Sequence, residues 1–295
     1  MQGSTQRKLI GIIGGSGIYD IDGLEHRQWV KAESSFGAPS DEILTGELFG
    51  QPMAFLPRHG RGHVIPPSEV NYRANIDALK RLGVTEVISL SAVGSLKESL
   101  APGSFVIVDQ FIDRTVARES SFFGKGFVAH VSMAHPVCSR LGDWLEKSAH
   151  AAGINAVRGG TYLAMEGPQF SSLAESNLYR QWGCDVIGMT NMPEAKLARE
   201  AELCYASVAM VTDYDCWHTD HAHVTVDQII AVLLANADKG RALVKQVVPH
   251  LKDDVHAADC ACRHALQYAL ITAPEARDPV MMEKLSVVAG RMLKA

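Results

Sequence analysis

Short apolar runs alternate with amphipathic segments along most of the chain. Residues 84–90 and 203–211 are apolar runs bounded by turn residues, which is typical of strands buried on both faces of a sheet. Residues 225–237 carry apolar side chains at helical spacing behind a capping-box pattern, which predicts a long amphipathic helix. The same criteria predict further strands at 8–13, 42–48, 52–56, 105–108, 160–165 and 185–189. They also predict helices at 68–82, 141–152, 173–182, 258–270 and 279–293, and one helix that begins at residue 193.

The order of these elements predicts a single α/β domain over residues 1–295. The sheet is expected to be mixed, partly barrel-like and flanked by helices; of these features, the hairpin spacing of residues 42–48 and 52–56 indicates only the mixed sheet. No linker, repeat or low-complexity tract divides the chain. The residues after about 275 are predicted to form a helical tail.

Composition and charge narrow the range of partners. With 47% hydrophobic and 21% charged residues, the chain has the composition of an ordinary globular protein. A net charge of -5 provides no basic surface, so we expect neither nucleic acid nor an anionic membrane as a partner. The chain has no apolar run of membrane-spanning length, and its first residues lack the apolar core of a secretion signal. We therefore expect a cytoplasmic protein.

The six cysteines do not form the pattern of a disulfide scaffold. Cys184 and Cys204 lie in apolar runs and are interpreted as inert core residues. Cys260 and Cys262 flank a single alanine, which is not the four-ligand spacing of a zinc site, so we expect no metal. A redox-sensitive or structural pair and an accidental spacing are both open interpretations of these two cysteines.

Two carboxylates follow the apolar run 203–211. If the strand stays extended, Asp213 and Asp215 point to the same side at its carboxyl end, where open α/β sheets bind ligands. A solvated loop after a core strand explains the same pair. The choice depends on what other loops bring to this edge of the sheet.

Two other strand ends carry groups suited to an anion. Residues 14–17 read Gly-Gly-Ser-Gly, where backbone amides and the Ser16 hydroxyl can approach a phosphate, although a plain tight turn is the alternative. This loop lacks the lysine of a P-loop and the third small residue of the dinucleotide fingerprint. Arg58 and His59 follow the strand 52–56 among glycines, where a solvated basic loop is the alternative to phosphate binding.

Seven motifs together resemble one enzyme family, the S-methyl-5'-thioadenosine phosphorylases of the trimeric purine nucleoside phosphorylase class. The motifs are IGIIGGSGIY at 10–19, PRHG at 57–60, VNYRAN at 70–75, SAVG at 91–94, DQFIDRT at 109–115, MEGPQFS at 165–171 and TDYDCW at 212–217. The similarity covers roughly residues 8–272 in order. It implies phosphorolysis of 5'-methylthioadenosine to adenine and 5-methylthioribose 1-phosphate, in purine and methionine salvage, with inorganic phosphate as co-substrate and no cofactor.

The resemblance also implies roles for individual residues. Phosphate is expected at Ser16, Arg58, His59, Ser91, Ala92 and Thr190. The nucleoside is expected to meet Met189 at the ribose, Phe170 at the purine face, Asp213 and Asp215 at the adenine edge, and Val226 and Ile229 near the 5' substituent. His130 and residues 266–272 are expected to reach a neighbouring subunit, in a homotrimer or a hexamer built from two trimers.

Physical chemistry adds a hypothesis about the two aspartates. A carboxyl group in an apolar pocket beside a second carboxylate should have a raised pKa, so Asp213 is predicted to donate a proton to N7 while Asp215 reads the 6-amino group. The alternatives are a phosphorylase of 6-oxopurine nucleosides or 5'-methylthioinosine, a nucleosidase that uses water, and a non-enzymatic nucleoside-binding module.

Overall fold

The computed structural model describes residues 8–15, 17–218 and 226–293, and for residues 226–230 it describes the backbone only. Eleven strands are formed by these residues. Their bounds are β1 Leu9–Gly14, β2 Glu25–Val30, β3 Ile43–Leu48, β4 Gln51–Pro57, β5 Val84–Ser95, β6 Phe105–Val108, β7 Gln110–Arg114, β8 Ala156–Arg158, β9 Thr161–Met165, β10 Val186–Gly188 and β11 Cys204–Asp213.

Seven α-helices accompany the strands in the described part of the chain. They are α1 Tyr72–Arg81, α2 Ser139–Ala151, α3 Leu173–Gln181, α4 Asn191–Glu200, α5 Val226–Lys252, α6 Pro279–Lys284 and α7 Gly290–Leu293. Within α4, Met192 has non-helical backbone angles, so regular helix begins at Pro193, as proline at a first helical position allows. Among the described residues, no helix combines the length and the apolar content needed to cross a membrane.

All eleven strands belong to one branched sheet. The main path runs β2-β3-β4-β1-β5-β10-β9-β7, and a branch leads from β5 to β11, β6 and β8. Strands β1, β4, β5 and β11 are parallel along their shared edges, whereas β3 is antiparallel to β4 and β10 is antiparallel to β5. The predictions of a hairpin at 42–56 and of a mixed sheet flanked by helices are therefore confirmed.

Helices cover the sheet on both faces, which explains why its inner strands read as nearly continuous apolar runs. On one face, Ile76 of α1 and Leu197 of α4 belong to the same buried cluster. On the other face, Leu145 of α2 and Val247 of α5 pack with the opposite side of the strands. Because both faces are closed by helices, the carboxyl ends of the parallel strands offer the accessible polar edge.

Three local predictions were wrong. Residues 258–270 do not form a helix; they contain the single-turn 3-10 helix Ala261–His264. The helix predicted at 68–82 starts later than expected, because α1 begins at Tyr72, where the Asn71 side chain accepts the cap bond from the Ala74 N–H. The predicted helix at 279–293 is divided into α6 and α7.

Candidate active site

The glycine loop and Arg58 are neighbours at the ends of two parallel strands. Gly14 of β1 is paired with Pro57 of β4, and the Arg58 backbone N–H donates to the Gly14 carbonyl at 3.0 Å. Gly17 has φ +94°, a conformation that glycine adopts without strain. Ser16 lies outside the described residues, so its contact with phosphate stays a prediction.

The Arg58 side chain is buried beneath this loop and is paired with a carboxylate. Its Nε donates to Glu194 Oε2 at 2.8 Å and its Nη2 to Glu194 Oε1 at 3.1 Å. Nη2 also donates to Ser89 Oγ at 2.5 Å, and Nη1 to the Leu90 carbonyl at 3.2 Å. Burial by itself would lower the pKa of Arg58, but the charge of Glu194 raises it above its ordinary value. The guanidinium is therefore charged and already partly neutralised.

A buried polar network connects Ser91 with this ion pair. Ser91 Oγ donates to Asn191 Oδ1 at 3.3 Å, and Asn191 Nδ2 donates to Ser89 Oγ at 3.0 Å and to the Tyr205 hydroxyl at 3.1 Å. The Tyr205 hydroxyl in turn donates to Glu194 Oε1 at 2.9 Å. These bonds hold the Ser91 hydroxyl and the Arg58 guanidinium in fixed orientations, as a preorganised anion site requires.

His59 is held as a neutral ring. Its Nδ1 lies 2.8 Å from the Ile65 carbonyl, and its ring stacks on His63 with centroids 4.2 Å apart. Burial, together with the charge of Arg58, lowers the pKa of His59 to about 4. A carbonyl oxygen can only accept, so the single ring proton is on Nδ1 and Nε2 is an acceptor. His59 can therefore accept a hydrogen bond from a protonated ligand oxygen but does not supply a positive charge.

The antiparallel pairing of β10 with β5 brings two further predicted residues to the same place. Ile187 is paired with Gly94, so Met189 and Thr190 continue past this pair towards Ala92. Ala92 is exposed although it lies within a central strand whose adjacent residues are buried. Thr190 is buried at the start of α4, where its backbone N–H donates to the Tyr162 hydroxyl at 3.4 Å.

Asp213 and Asp215 are adjacent, although the strand does not continue through them. β11 ends at Asp213, and Asp215 starts a single-turn helix with φ 52°. Asp213 Oδ1 accepts from the Asp215 N–H at 2.8 Å, and Asp213 Oδ2 accepts from Thr212 Oγ1 at 2.7 Å. A Cβ at Gly94 would lie 3.2 Å from Asp213 Oδ1 and 3.3 Å from Asp215 Cβ. The pair thus packs closely against this glycine of the neighbouring strand.

Asp215 has an environment that favours its protonated form. Burial and the neighbouring charge of Asp213 raise the pKa of Asp215, and together they outweigh a hydrogen bond with the Ser176 side chain, which lowers it. The Asp215 carboxyl group therefore lies in a partly desolvated position that favours its protonated form.

Arg118 fastens the loop after β9 to the loop after β10, a role that the sequence analysis missed. Its guanidinium is buried and donates to the carbonyl of Met192 at 2.7 Å, to the carbonyl of Glu166 at 2.7 Å and also to the carbonyl of Met189. The sequence gives little indication of this role, because Arg118 lies in a segment without periodicity and the partners of its side chain are distant in sequence.

The Glu166 carboxylate is the second anchor of this loop. It accepts from Ser68, from the backbone N–H groups of Val116 and Ala117, and from Arg118 Nε at 3.1 Å. Burial alone would raise its pKa, but these hydrogen bonds and the charge of Arg118 outweigh that effect and lower the pKa to about 2. The Met189 carbonyl is consequently held by Arg118, which is itself paired with the charged Glu166 carboxylate.

Two further predicted residues, Phe170 and His130, are not part of this cluster within one chain. Phe170 is 85% exposed at the rim, and Ser171 next to it accepts a hydrogen bond from Cys216. The exposed His130 is joined to the predicted partner segment, since its N–H donates to the Ala269 carbonyl at 2.8 Å. The side chains of Val226 and Ile229 lie outside the described residues. The structure thus brings together Arg58, His59, Ser91, Ala92, Met189, Thr190, Asp213 and Asp215 along one edge.

This arrangement of glycine loop, buried arginine and paired carboxylates matches a known family. The model of the phosphorylase superfamily matches residues 9–249. The chain therefore belongs to the phosphorylase superfamily.

Individual relatives refine the similarity. The chain is 64% identical over 293 residues to an S-methyl-5'-thioadenosine phosphorylase from Rhodospirillum rubrum, covering 99% of this chain and 100% of the relative. A crystal structure of a methylthioadenosine phosphorylase from an antarctic soil metagenomic library superposes with a TM-score of 0.89 at 48% identity, covering 96% of this chain and 99% of the other. The Schistosoma mansoni methylthioadenosine phosphorylase in complex with adenine gives a TM-score of 0.81 at 38% identity, covering 88% and 96%. The resemblance inferred from the motifs is confirmed.

Proposed function

We propose that this protein cleaves the N-glycosidic bond of 5'-methylthioadenosine with inorganic phosphate, releasing adenine and 5-methylthioribose 1-phosphate. The names of its relatives support this reaction. The observation that carries it is that one strand, β5, contributes to two half-sites. The anion half-site contains Arg58, Ser91 and Thr190, and the carboxylate half-site contains Asp213 and Asp215. On β5, Ser91 belongs to the anion network and Gly94 lies against the aspartates, about 10 Å further along. That distance suits a ribose between a phosphate and a purine.

The anion half-site is built to hold phosphate without quenching its charge. Arg58 shares its charge with Glu194, and the buried Thr190 provides a neutral hydroxyl donor. A phosphate held in this way stays nucleophilic and stabilises the positive charge that develops on the sugar ring. The acceptor Nε2 of His59 suits the protonated oxygen of hydrogen phosphate.

The carboxylate half-site acts on the leaving base. As the C1'–N9 bond breaks and a phosphate oxygen bonds to C1', negative charge collects on the purine, so a proton delivered to N7 assists departure. The raised pKa of Asp215 supports this residue as the donor. Asp213, whose carboxylate is oriented by Thr212 and the Asp215 N–H, then accepts from the 6-amino group. This assignment reverses the one predicted from the sequence.

A carboxylate at Asp213 favours adenine, because a 6-oxo group would present it with a second acceptor. We expect Asp213→Asn to raise the ratio of hypoxanthine to adenine nucleoside turnover, since an amide can donate to a 6-oxo group. Asp215→Asn should lower kcat for both bases. An unchanged base ratio in Asp213→Asn would contradict the assignment and favour another phosphorylase specificity.

One assay tests the reaction class. The protein is incubated with 5'-methylthioadenosine, with and without inorganic phosphate, and free adenine is followed. Release only with phosphate supports phosphorolysis; release without it favours hydrolysis by water, and no release from any purine nucleoside favours a binding module.

The assembly is also a proposal. His130 and the segment around Ala269 are joined to each other in the described structure, and both are expected to reach a neighbouring subunit. We propose a homotrimer or a pair of trimers, which light scattering after gel filtration will distinguish. The single-domain organisation, the cytoplasmic location and the cofactor-free reaction expected from the sequence stay predictions.

A further inference from the structure

Four cysteines meet at the end of the sheet opposite to the candidate active site. Cys204 is the first residue of β11, whose last residue is Asp213, so the thiols lie roughly 30 Å from the carboxylates. Cys138 is the N-cap of α2, and Cys260 is the N-cap of the single-turn helix that contains Cys262. The four Sγ atoms all lie within 4.8 Å of one another.

The distances between the thiols suit a shared ligand better than a disulfide. The Sγ atoms of Cys138 and Cys260 are 3.6 Å apart, and all four cysteines are free. A disulfide would bring two sulfurs to about 2.05 Å. Four thiolates about 2.3 Å from a central zinc ion are about 3.8 Å apart along the edges of a tetrahedron. The observed separations are therefore close to those of a tetrahedral thiolate site.

The surroundings of the thiols suit thiolates in particular. Cys138, Cys204 and Cys262 are buried, and Cys260 is partly exposed, which gives an ion a route from solvent. Arg140 lies beside Cys204, and the charge of Arg199 acts on Cys262. The Nε of each arginine is buried without a hydrogen-bond partner among the described residues. Outer-shell N–H donors of this kind typically stabilise the thiolates of a metal site.

Two carboxylates near the cluster do not compete for such an ion. Glu86 and Asp254 are both paired with the Arg140 guanidinium. Glu86 is also paired with Lys8 at 2.8 Å. The sulfurs are accordingly the free soft ligands of the cluster.

We propose that Cys138, Cys204, Cys260 and Cys262 bind one zinc ion in a closed structural site. Binding replaces the four thiol protons, which are released to solvent as Zn–S bonds form. Since the protein fills every position of the tetrahedron, the site has no place for a substrate. Its effect is to fasten the segment around Ala261–His264 to the start of β11 and to α2. This proposal is independent of the reaction proposed above.

Metal content of the full-length protein tests the site directly. The protein is reduced, incubated with excess Zn²⁺, freed of unbound metal and analysed for zinc. We expect one zinc per chain, and in a parallel sample with Co²⁺ the charge-transfer and d–d absorption of tetrahedral thiolate-bound cobalt. Cys204→Ser and Cys262→Ser should each weaken zinc binding by more than the about 10- to 100-fold typical of outer-shell changes. Cys184→Ser, which alters a buried cysteine outside the cluster, should leave binding unchanged.

Several results would overturn the site. Reduced wild-type protein that takes up neither ion is one, and zinc binding that survives both Cys204→Ser and Cys262→Ser is another. If those variants do not fold, removing zinc from the wild-type protein with a chelator should lower its unfolding temperature, and added Zn²⁺ should restore it. An unfolding temperature that does not respond to either step contradicts the proposal.

Discussion

Arg58 and Glu194 form an ion pair that joins the loop after β4 to helix α4. The side chains are each 2% exposed and are separated by 2.8 Å, although the residues lie 136 positions apart in the chain. Arg58 therefore meets any bound anion with its charge already balanced by a carboxylate. The strength of the anion site depends on Glu194 as much as on the arginine.

Replacing Glu194 with glutamine tests this balance. The amide keeps one acceptor for Arg58 but leaves the buried guanidinium without its counter-charge, so unfolding should become easier by up to about 3–5 kcal/mol. The uncompensated charge should lower KM for phosphate and also lower kcat, because a more strongly held phosphate attacks less readily. Thermal unfolding and phosphate kinetics give both values. Glu42→Gln, in an exposed pair with Arg61, is the control and should change neither.

Arg118→Lys should impair the reaction more than the fold. A lysine keeps the charge, but it cannot reach Glu166, Met189 and Met192 together as the guanidinium does. Displacing Met189 by about 1 Å is expected to lower kcat/KM for the nucleoside by roughly 100-fold. Steady-state kinetics measures this loss, and Arg27→Lys on the surface serves as the control. Wild-type kcat/KM in Arg118→Lys would show that the loop is held by other contacts.

Gly188→Ala should destabilise the protein through one contact. An added Cβ would lie 2.0 Å from the hydroxyl oxygen of the buried Tyr162. Overpacking of this kind costs about 1–3 kcal/mol. Part of the lost stability should be recovered in the double variant with Tyr162→Phe. Denaturant unfolding measures both changes. Gly124→Ala adds a methyl group to open space and should be neutral; equal losses in both glycine variants would argue against the steric explanation.

His59 should make stability depend on pH in a defined window. Its pKa is about 4 in the folded protein, compared with an ordinary value of 6.5. Between these values the unfolded chain binds a proton that the folded protein does not, so stability should fall as pH decreases through this window. Thermal unfolding of His59→Asn between pH 7 and pH 4 should show a shallower decline than the wild type, whereas the exposed His256→Asn should not. Parallel curves for all three proteins would exclude His59 as a cause.

Local sequence patterns were sufficient for eight of the eleven strands and for the loops that follow them, whereas β2, β7 and β8 were not predicted. Arg58, Ser91 and Asp213 could be placed together because parallel strands share their carboxyl edge, a rule that needs no knowledge of side-chain contacts. Glu194 and Arg118 could not be found in this way. Each looks like an ordinary charged residue in its own segment, and its role appears only through partners far away in the chain.

The same limit applies to elements whose pattern was weak. Residues 258–270 were predicted as a helix from composition, yet packing against α2 and β11 holds part of them as a 3-10 turn around Cys262. The carboxyl pair shows a subtler limit. Asp213 and Asp215 were predicted to lie side by side because alternate residues of an extended strand share a face. That reason does not apply, because Asp215 has a φ of 52° and is not extended. Their proximity results from the turn.

Strand β5 constrains how the candidate active site can change during evolution. It is hydrogen-bonded to β11 along most of its length and to β1 and β10 on its other side. An insertion or deletion within it would move Ser91 and Gly94 to the opposite face and disrupt the anion and carboxylate half-sites together. New base specificity is therefore accessible through substitutions in the turn after β11, while the span between phosphate and purine is inherited as a fixed length.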